Sequence, residues 1–345
     1  MHHEHPSPAQ LRNLITTALN VRDLAPWCQL APRQPYGVRD PISGRVVLAV
    51  VSGGDGTQPG ISAFPGISGH LTMLRLIHDA LPEVDQESLI GIRALICCYA
   101  ARSALGTSER RLLEDAGFRF RRGELAPRFR SYMPGYTPWT LSGDEARVLT
   151  LVLEHTLEFA MEAGLDSSFF EGAPNYSYRI RQLVSRDGYD DWIYAWAKAD
   201  LEGDSPVRLR RLDELTSARL ARLPCDDAAE WEISAESGLG CLDAGPDERP
   251  ELLQMLFVVD RASGYIHLGE PVAAPNVLEE AQPMVSGLLL RLGYRPRRML
   301  VRELALRAHL ASLARAAGCR LQRVRRLPAV EAANRDMVRA MSRRG

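Results

Sequence analysis

The chain has 345 residues, 46% hydrophobic and 25% charged, which is ordinary usage for a globular protein and more chain than one average domain holds, so two domains are expected. No run approaches the ~20 apolar residues a membrane span needs, and the first residues lack the basic-then-apolar order of a signal peptide. A cytoplasmic protein with no membrane partner is therefore expected. The net charge of −1 conceals an asymmetry: residues 291–345 carry fifteen Arg against Glu303, Glu331 and Asp336, a net of +12, which leaves −13 on the rest.

A basic segment patterned like a folded unit points to an anionic partner, such as nucleic acid or an acidic protein surface, or to acidic groups elsewhere in the same molecule. Lys198 is the only lysine, so Arg is this chain's general cation and its abundance alone marks no phosphate site.

In chain order, a helix is predicted over residues 9–19. The run YGVRDPISGRVVLAVVSGGDGTQPGISAF then reads as antiparallel strands turning at residues 40–44 and 52–56. The second turn is glycine-rich but lacks a Gly-Lys-Ser/Thr ending, so it reads as a hairpin tip and not as a phosphate loop. Leu71, Leu74, Ile77, His78 and Leu81 keep helical spacing over residues 67–81, with Pro82 as the stop. His70 and His78 on that helix read as packing or surface groups. Cys28, Cys97, Cys98, Cys225, Cys241 and Cys319 form no CxxC pair and are expected to be buried free thiols.

Residues 118–141, FRFRRGELAPRFRSYMPGYTPWTL, interleave Arg with aromatics. Pro127, Pro134 and Pro138 forbid a helix and disfavour a central strand, so an ordered, extended loop is expected. Guanidinium groups pair with anions and aromatic faces stack on bases, which makes Arg128, Arg130, Tyr132, Tyr136 and Trp139 candidate partner-binding residues. The competing expectation is that the aromatics pin the loop and the Arg stems cover them. Ser142 with Glu145 three residues on fits a capping box, opening a helix over residues 143–163.

The pattern P-x-FRS-x-x-PGY-x-PW at residues 127–139, with the RDPISGRVVLAVVSGG hairpin upstream, resembles a bacterial domain of unknown function covering about the first half of the chain. That resemblance implies a fold and no chemistry.

Further on, residues 178–197 read as a hairpin around Asp187 and Gly188 with Trp192 and Trp196 on one face, and residues 200–206 as the approach to a linker. A short helix over 212–223 and a strand at 231–235 follow. MLFVVDRASGYIHLGEPV reads as two strands joined at 261–264. Helices are expected at 276–292, 304–317 and 329–341, strands at 298–302 and 320–325, and helix stops at Gly293 and Gly318. The expected organisation is an α+β domain over 1–165, a connecting hairpin and helix over 166–224, and an α/β domain over 225–345.

The stretches VVDRASGYI, YRPRRMLVRELALRAHLASLA and RRLPAVEAA resemble a companion bacterial domain of unknown function. Its ββαβαβα order is similar to the ribonuclease-H-like fold, with one of the three antiparallel opening strands either missing or supplied by residues 231–235. The resemblance implies that Asp260 and Glu303, each following an apolar strand, match carboxylates that hold Mg²⁺ or Mn²⁺ for phosphodiester cleavage. The competing expectation is that Asp260 serves its own turn and Glu303 caps a helix or pairs with Arg. The favoured expectation is a binding or scaffold protein without a cofactor, using Arg297, Arg298, Arg323, Arg325 and Arg326 towards an anionic partner; the alternative is the metal-dependent nuclease.

Overall fold

The computed structural model describes residues 5–31, 34–54, 58–78, 91–186, 188–199, 210–242, 245 and 248–342. It is a mixed α/β structure of two compact units, each with its own sheet. The expected linker at 200–206 and the Asp187 position lie outside the described residues. No helix among the described residues is long and apolar enough to cross a membrane.

The first unit opens with helix α1 (Pro8–Leu24), whose Ser7 forms a capping box with Gln10. Strands β1 (Tyr36–Arg39), β2 (Val46–Ser52) and β3 (Gly60–Phe64) then run antiparallel as expected. Helix α2 (Gly66–His78) follows, with His70 hydrogen-bonded to the Tyr178 hydroxyl. Next come β4 (Ala94–Ala101), α3 (Thr107–Asp115), β5 (Leu125–Tyr132), the long helix α4 (Gly143–Leu165) and the hairpin β6 (Ser177–Arg186) with β7 (Tyr189–Lys198). The sheet order is β5-β4-β3-β2-β1-β6-β7, with only β1 and β6 parallel. One face carries Ile15, Val47, Ala63, Leu95, Leu149 and Phe159 in the core with α1 and α4. The other face packs Leu48, Phe64 and Ile180 against Met73 of α2.

Two expectations are corrected here. The 177–198 hairpin is not a connector between domains, because β6 extends the first sheet by pairing in parallel with β1. Residues 125–132 are a strand and not a loop. Tyr99 sends its N–H to Pro59 of the β3 side, so the opposite residue on β5, Pro127, turns its N–H-less nitrogen to the open edge. Proline is tolerated at such an edge.

The second unit begins at α5 (Glu214–Ala221), capped by Asp213, whose Leu220 is buried in this unit's core. Strands β8 (Cys225–Cys241), β9 (Leu252–Asp260) and β10 (Ile266–Ala273) form an antiparallel meander. Helix α6 (Val277–Leu292), β11 (Arg295–Val301), α7 (Leu304–Ala317), β12 (Arg320–Arg323) and α8 (Pro328–Ser342) complete it. Gly293 and Gly318 end their helices at φ 73° and 69°, the left-handed region that glycine enters without strain. The order β10-β9-β8-β11-β12, with β8, β11 and β12 mutually parallel, makes β8 the third opening strand. It runs far beyond the expected residues 231–235. Trp231, Ile233, Val258 and Met299 face α5, α6 and α7, and Phe257, Val259 and Leu300 face α8 through Leu327 and Val330. All six cysteines are free, but Cys28, Cys225 and Cys241 are exposed, which corrects the expectation that all would be buried.

Candidate functional site

Arg128 and Arg130 come together with a group that periodicity did not single out. Both guanidinium groups reach one carboxylate, Glu109 of α3: Arg128 Nε donates to Oε1 at 2.7 Å, and Arg130 pairs with the same oxygen. The other oxygen accepts the Gly106 N–H at 2.7 Å. Burial alone would raise the Glu109 pKa, but the Gly106 hydrogen bond and the two Arg bring it below the ordinary carboxylate range. Beside this triad lies a cavity of about 450 Å³ between α1, α3 and the open edge of β5. Leu11, Leu14, Leu112, Leu113, Phe129 and Leu141 make its walls apolar, while Arg111, Arg128 and Arg130 give it positive groups. Helix α3, TSERRLLED, is short and polar, so nothing local announces its role; its Leu112 and Leu113 pair was the available signal.

The rest of the 118–141 segment divides between tasks. Ser131 Oγ donates to Glu145 at 2.7 Å, and the same carboxylate receives Arg93 at 3.0 Å and completes the capping box with Ser142 at the start of α4. Ser131 also exchanges both backbone hydrogen bonds with Trp139, whose indole N–H is buried without a partner. Tyr132 packs with the α2-side core. Tyr136 lies in the short segment Gly135–Thr137, which counts with the second unit and pairs its backbone with Glu251. Tyr132 shares the face of Arg128 and Arg130 on β5, and both act on its hydroxyl, whereas Trp139 is held by Ser131.

In the second unit, β8 carries Glu230, Glu232, Ser234 and Glu236 on one face by strand alternation, the face towards α8. The basic segment answers these acids. Arg298 pairs with Glu230, and Arg302 reaches Glu236 at 3.2 Å and Glu303 at 2.9 Å. Arg326 pairs with Glu331, and Arg323 donates to the Arg302 carbonyl. Arg297 and Arg325 are exposed and have no acid partner among the described residues, and the same holds for Arg291, Arg307, Arg315, Arg320 and Arg335. Of the five expected C-terminal arginines, two are thus turned to solvent without a partner, and three are engaged within the unit.

The structure does not bring Asp260 and Glu303 together. Asp260 is opposite Trp231 on β8, and so is Met299 of β11; Glu303 lies four residues further, roughly 13 Å along the strand direction. The Asp260 carboxylate accepts the Ser263 N–H at 2.8 Å and its hydroxyl at 2.7 Å, closing the β9–β10 turn. Glu303 sits at the start of α7 without a side-chain cap bond, tied to Arg302 and Ser234. Among the described residues, no group of three or more His, Cys, Asp or Glu side chains converges as a metal would require.

Residues 12–179 match the family model of a domain of unknown function (DUF7309), and residues 216–338 match that of a second domain of unknown function (DUF6930). No curated protein and no solved structure matches the chain.

Proposed function

We propose that this protein, a chain of two domains of unknown function, is a binding or scaffold protein that offers the arginines of its second unit to an anionic partner, with nucleic acid the first class to test. The observation that carries this reading is the set of exposed arginines left over after the internal pairs are made, among them Arg297, Arg320 and Arg325. Arg320 lies on β12, an edge strand, and β11 beside it carries Arg297. Charged edges also discourage strand-to-strand aggregation, so the surplus has a purely protective explanation. Salt separates the two. A protein neutralising several phosphates loses affinity linearly in log–log salt, whereas a protective edge binds nothing. Fluorescence polarisation against labelled single-stranded DNA, duplex DNA and RNA across a salt series makes the distinction. Binding with a steep slope supports the proposal, and no binding at low salt to any of the three turns it away from nucleic acid towards acidic protein surfaces.

The alternative, a Mg²⁺- or Mn²⁺-dependent phosphodiesterase using Asp260 and Glu303, draws on one observation. Glu303 and Glu236 share Ser234 and Arg302 just past the carboxyl end of β11, beside the parallel strand β8, and strand ends are where α/β sheets hold ligands. Metal-dependent cleavage lost in both Asp260→Asn and Glu303→Gln would support it. Undiminished cleavage by either variant would remove that residue from the mechanism.

A further inference from the structure

The cavity beside β5 has a feature that its apolar lining does not explain: part of its wall is the unpaired backbone of a sheet edge. In an antiparallel ladder, alternate residues point both backbone groups to the same side. Ser131 gives its N–H and carbonyl outward to Trp139. Phe129 and Pro127, two and four residues before it in the same register against β4, therefore turn their backbone outward as well. Both residues line the cavity. The Phe129 N–H and carbonyl and the Pro127 carbonyl are thus aimed along its floor. The Ser131–Trp139 bridge is where an antiparallel neighbour of β5 begins; that neighbour stops when the chain turns into α4 at Ser142, and among the described residues no strand fills the slot beyond it. Around the slot, Leu11, Leu112 and Leu141 form a recess, and Arg111, Arg128 and Arg130 outnumber Glu109 and Asp115.

We propose that this slot takes an extended peptide that adds one antiparallel strand to the edge of β5. An apolar side chain of the peptide enters the leucine recess, and a carboxylate, either an acidic side chain or the chain terminus, is held by Arg111 and Arg130. Strand addition draws its affinity from main-chain hydrogen bonds and its selectivity from the pockets at alternate side chains. The floor supplies the first through Phe129 and Pro127, and the walls supply the second. A carboxylate matches the surplus positive charge, because Arg111, Arg128 and Arg130 outnumber the two lining carboxylates and one of these, Glu109, is shared by two guanidinium groups. This site is independent of the arginine strip on the second unit and stands or falls without it.

The test uses the full chain labelled with ¹⁵N-phenylalanine, which carries eight signals, the Phe129 amide being assigned by its loss in Phe129→Leu. The probes are N-acetylated hexapeptides alternating Leu or Val with Thr and ending in Glu with a free terminus, together with neutral C-terminal amides in which that Glu is replaced by Gln. The acidic peptides are expected to bind and to shift the Phe129 amide downfield. The amides should bind at least ten-fold more weakly, as should N-methylated peptides unable to make the central backbone bonds. Arg111→Glu, an exposed change at the rim, should weaken the acidic peptides about ten-fold while leaving the unbound spectrum unchanged. If no acidic peptide moves the Phe129 signal, the proposal is overturned. Binding that survives N-methylation, or that decanoate reproduces with the same Arg111 dependence and without a Phe129 shift, would show a small-molecule carboxylate pocket in place of strand addition.

Discussion

The Glu232 carboxylate accepts the backbone N–H of Ala329 at 2.8 Å, and that of Val330 at 3.2 Å, so a wholly buried acid on the central strand of the second sheet serves as the N-terminal cap of α8. The first N–H groups of a helix have no partner within it, and here a long-range side chain supplies one. Its second oxygen makes no hydrogen bond among the described residues and lies 3.6 Å from Arg261.

Truncation of this cap has a clear direction. Glu232→Ala leaves two helix N–H groups without an acceptor in a dry site and should cost about 2–3 kcal/mol, seen as a lower urea midpoint and faster amide exchange in α8. Burial, outweighing the two N–H bonds and Arg261, raises the Glu232 pKa above its ordinary 4.5. An acid raised in the folded state contributes a stability that is present below its unfolded value and is lost as pH climbs through its folded value. Glu232→Gln keeps an acceptor and removes the charge, so it should be milder than Ala at pH 7 and should flatten the fall in stability above pH 4.5. A Gln variant with the parent's pH slope would refute this origin of the slope.

Asp40 shows the opposite sign. Its buried carboxylate accepts Arg147 twice, at 2.8 and 3.0 Å, and also holds the Ile42 and Ser43 N–H groups of its own turn. Burial alone would raise its pKa, but the Arg147, Ser43 and Ile42 hydrogen bonds prevail and lower it from 3.8 to about 2. The stability this represents, about 2 kcal/mol, is fully present above pH 4 and is lost as pH falls towards 2. Asp40→Asn should therefore lie well below the parent at pH 7 and converge on it near pH 2, by chemical denaturation at each pH.

Much of the local structure was legible from the chain because local chemistry decides it. The Ser142 and Glu145 spacing opens α4, and Gly318 stops α7 at the residue expected. Strand β8 was legible only at its apolar centre. Its first residues, CDDAAE, look like a turn, and they join the sheet because partners distant in sequence receive them: Arg295 and Pro296 pair with Cys225 and Asp226, and Arg298 neutralises Glu230. Strand β5 was hidden by Pro127, whose acceptability depends on having no neighbour on one side, a fact of topology. The Arg128 and Arg130 candidates were legible as a composition, but the cavity beside them was not, since its walls come from α1 and α3 as well as β5. The pairing of Asp260 with Glu303 came from the resemblance, supported by strand-end position, and the β8 register sets the two at different levels of the sheet.

Asp260 should therefore behave as a turn residue. Its carboxylate bonds the Ser263 N–H and hydroxyl, and burial, the largest influence, is outweighed by these bonds so that its pKa is lowered. Asp260→Asn should cost about 1 kcal/mol, the usual worth of such hydrogen bonds, with the deficit shrinking in acid as the parent's carboxylate protonates. A thermal shift too small to measure at pH 7 would mean that the turn does not depend on this carboxylate.

The arginine strip yields the prediction that most directly probes function. Arg297, Arg320 and Arg325 are exposed and have no ion-pair partner among the described residues, while Arg298 and Arg302 neutralise Glu230, Glu236 and Glu303. Replacing the first three with Gln breaks no ion pair among the described residues, so the urea midpoint should stay within about 0.5 kcal/mol of the parent. If the strip meets phosphates, each lost contact should reduce the slope of log affinity against log salt by about 1, and binding should weaken for all sequences alike. Replacing Arg298 instead removes the closer of two arginines on Glu230, leaving Arg261 at 3.6 Å, and keeps the strip in place, so it should lower stability first and affinity little. A triple variant that binds with the parent's affinity and salt slope would remove these arginines from any phosphate interface and leave them as guards of the β12 edge.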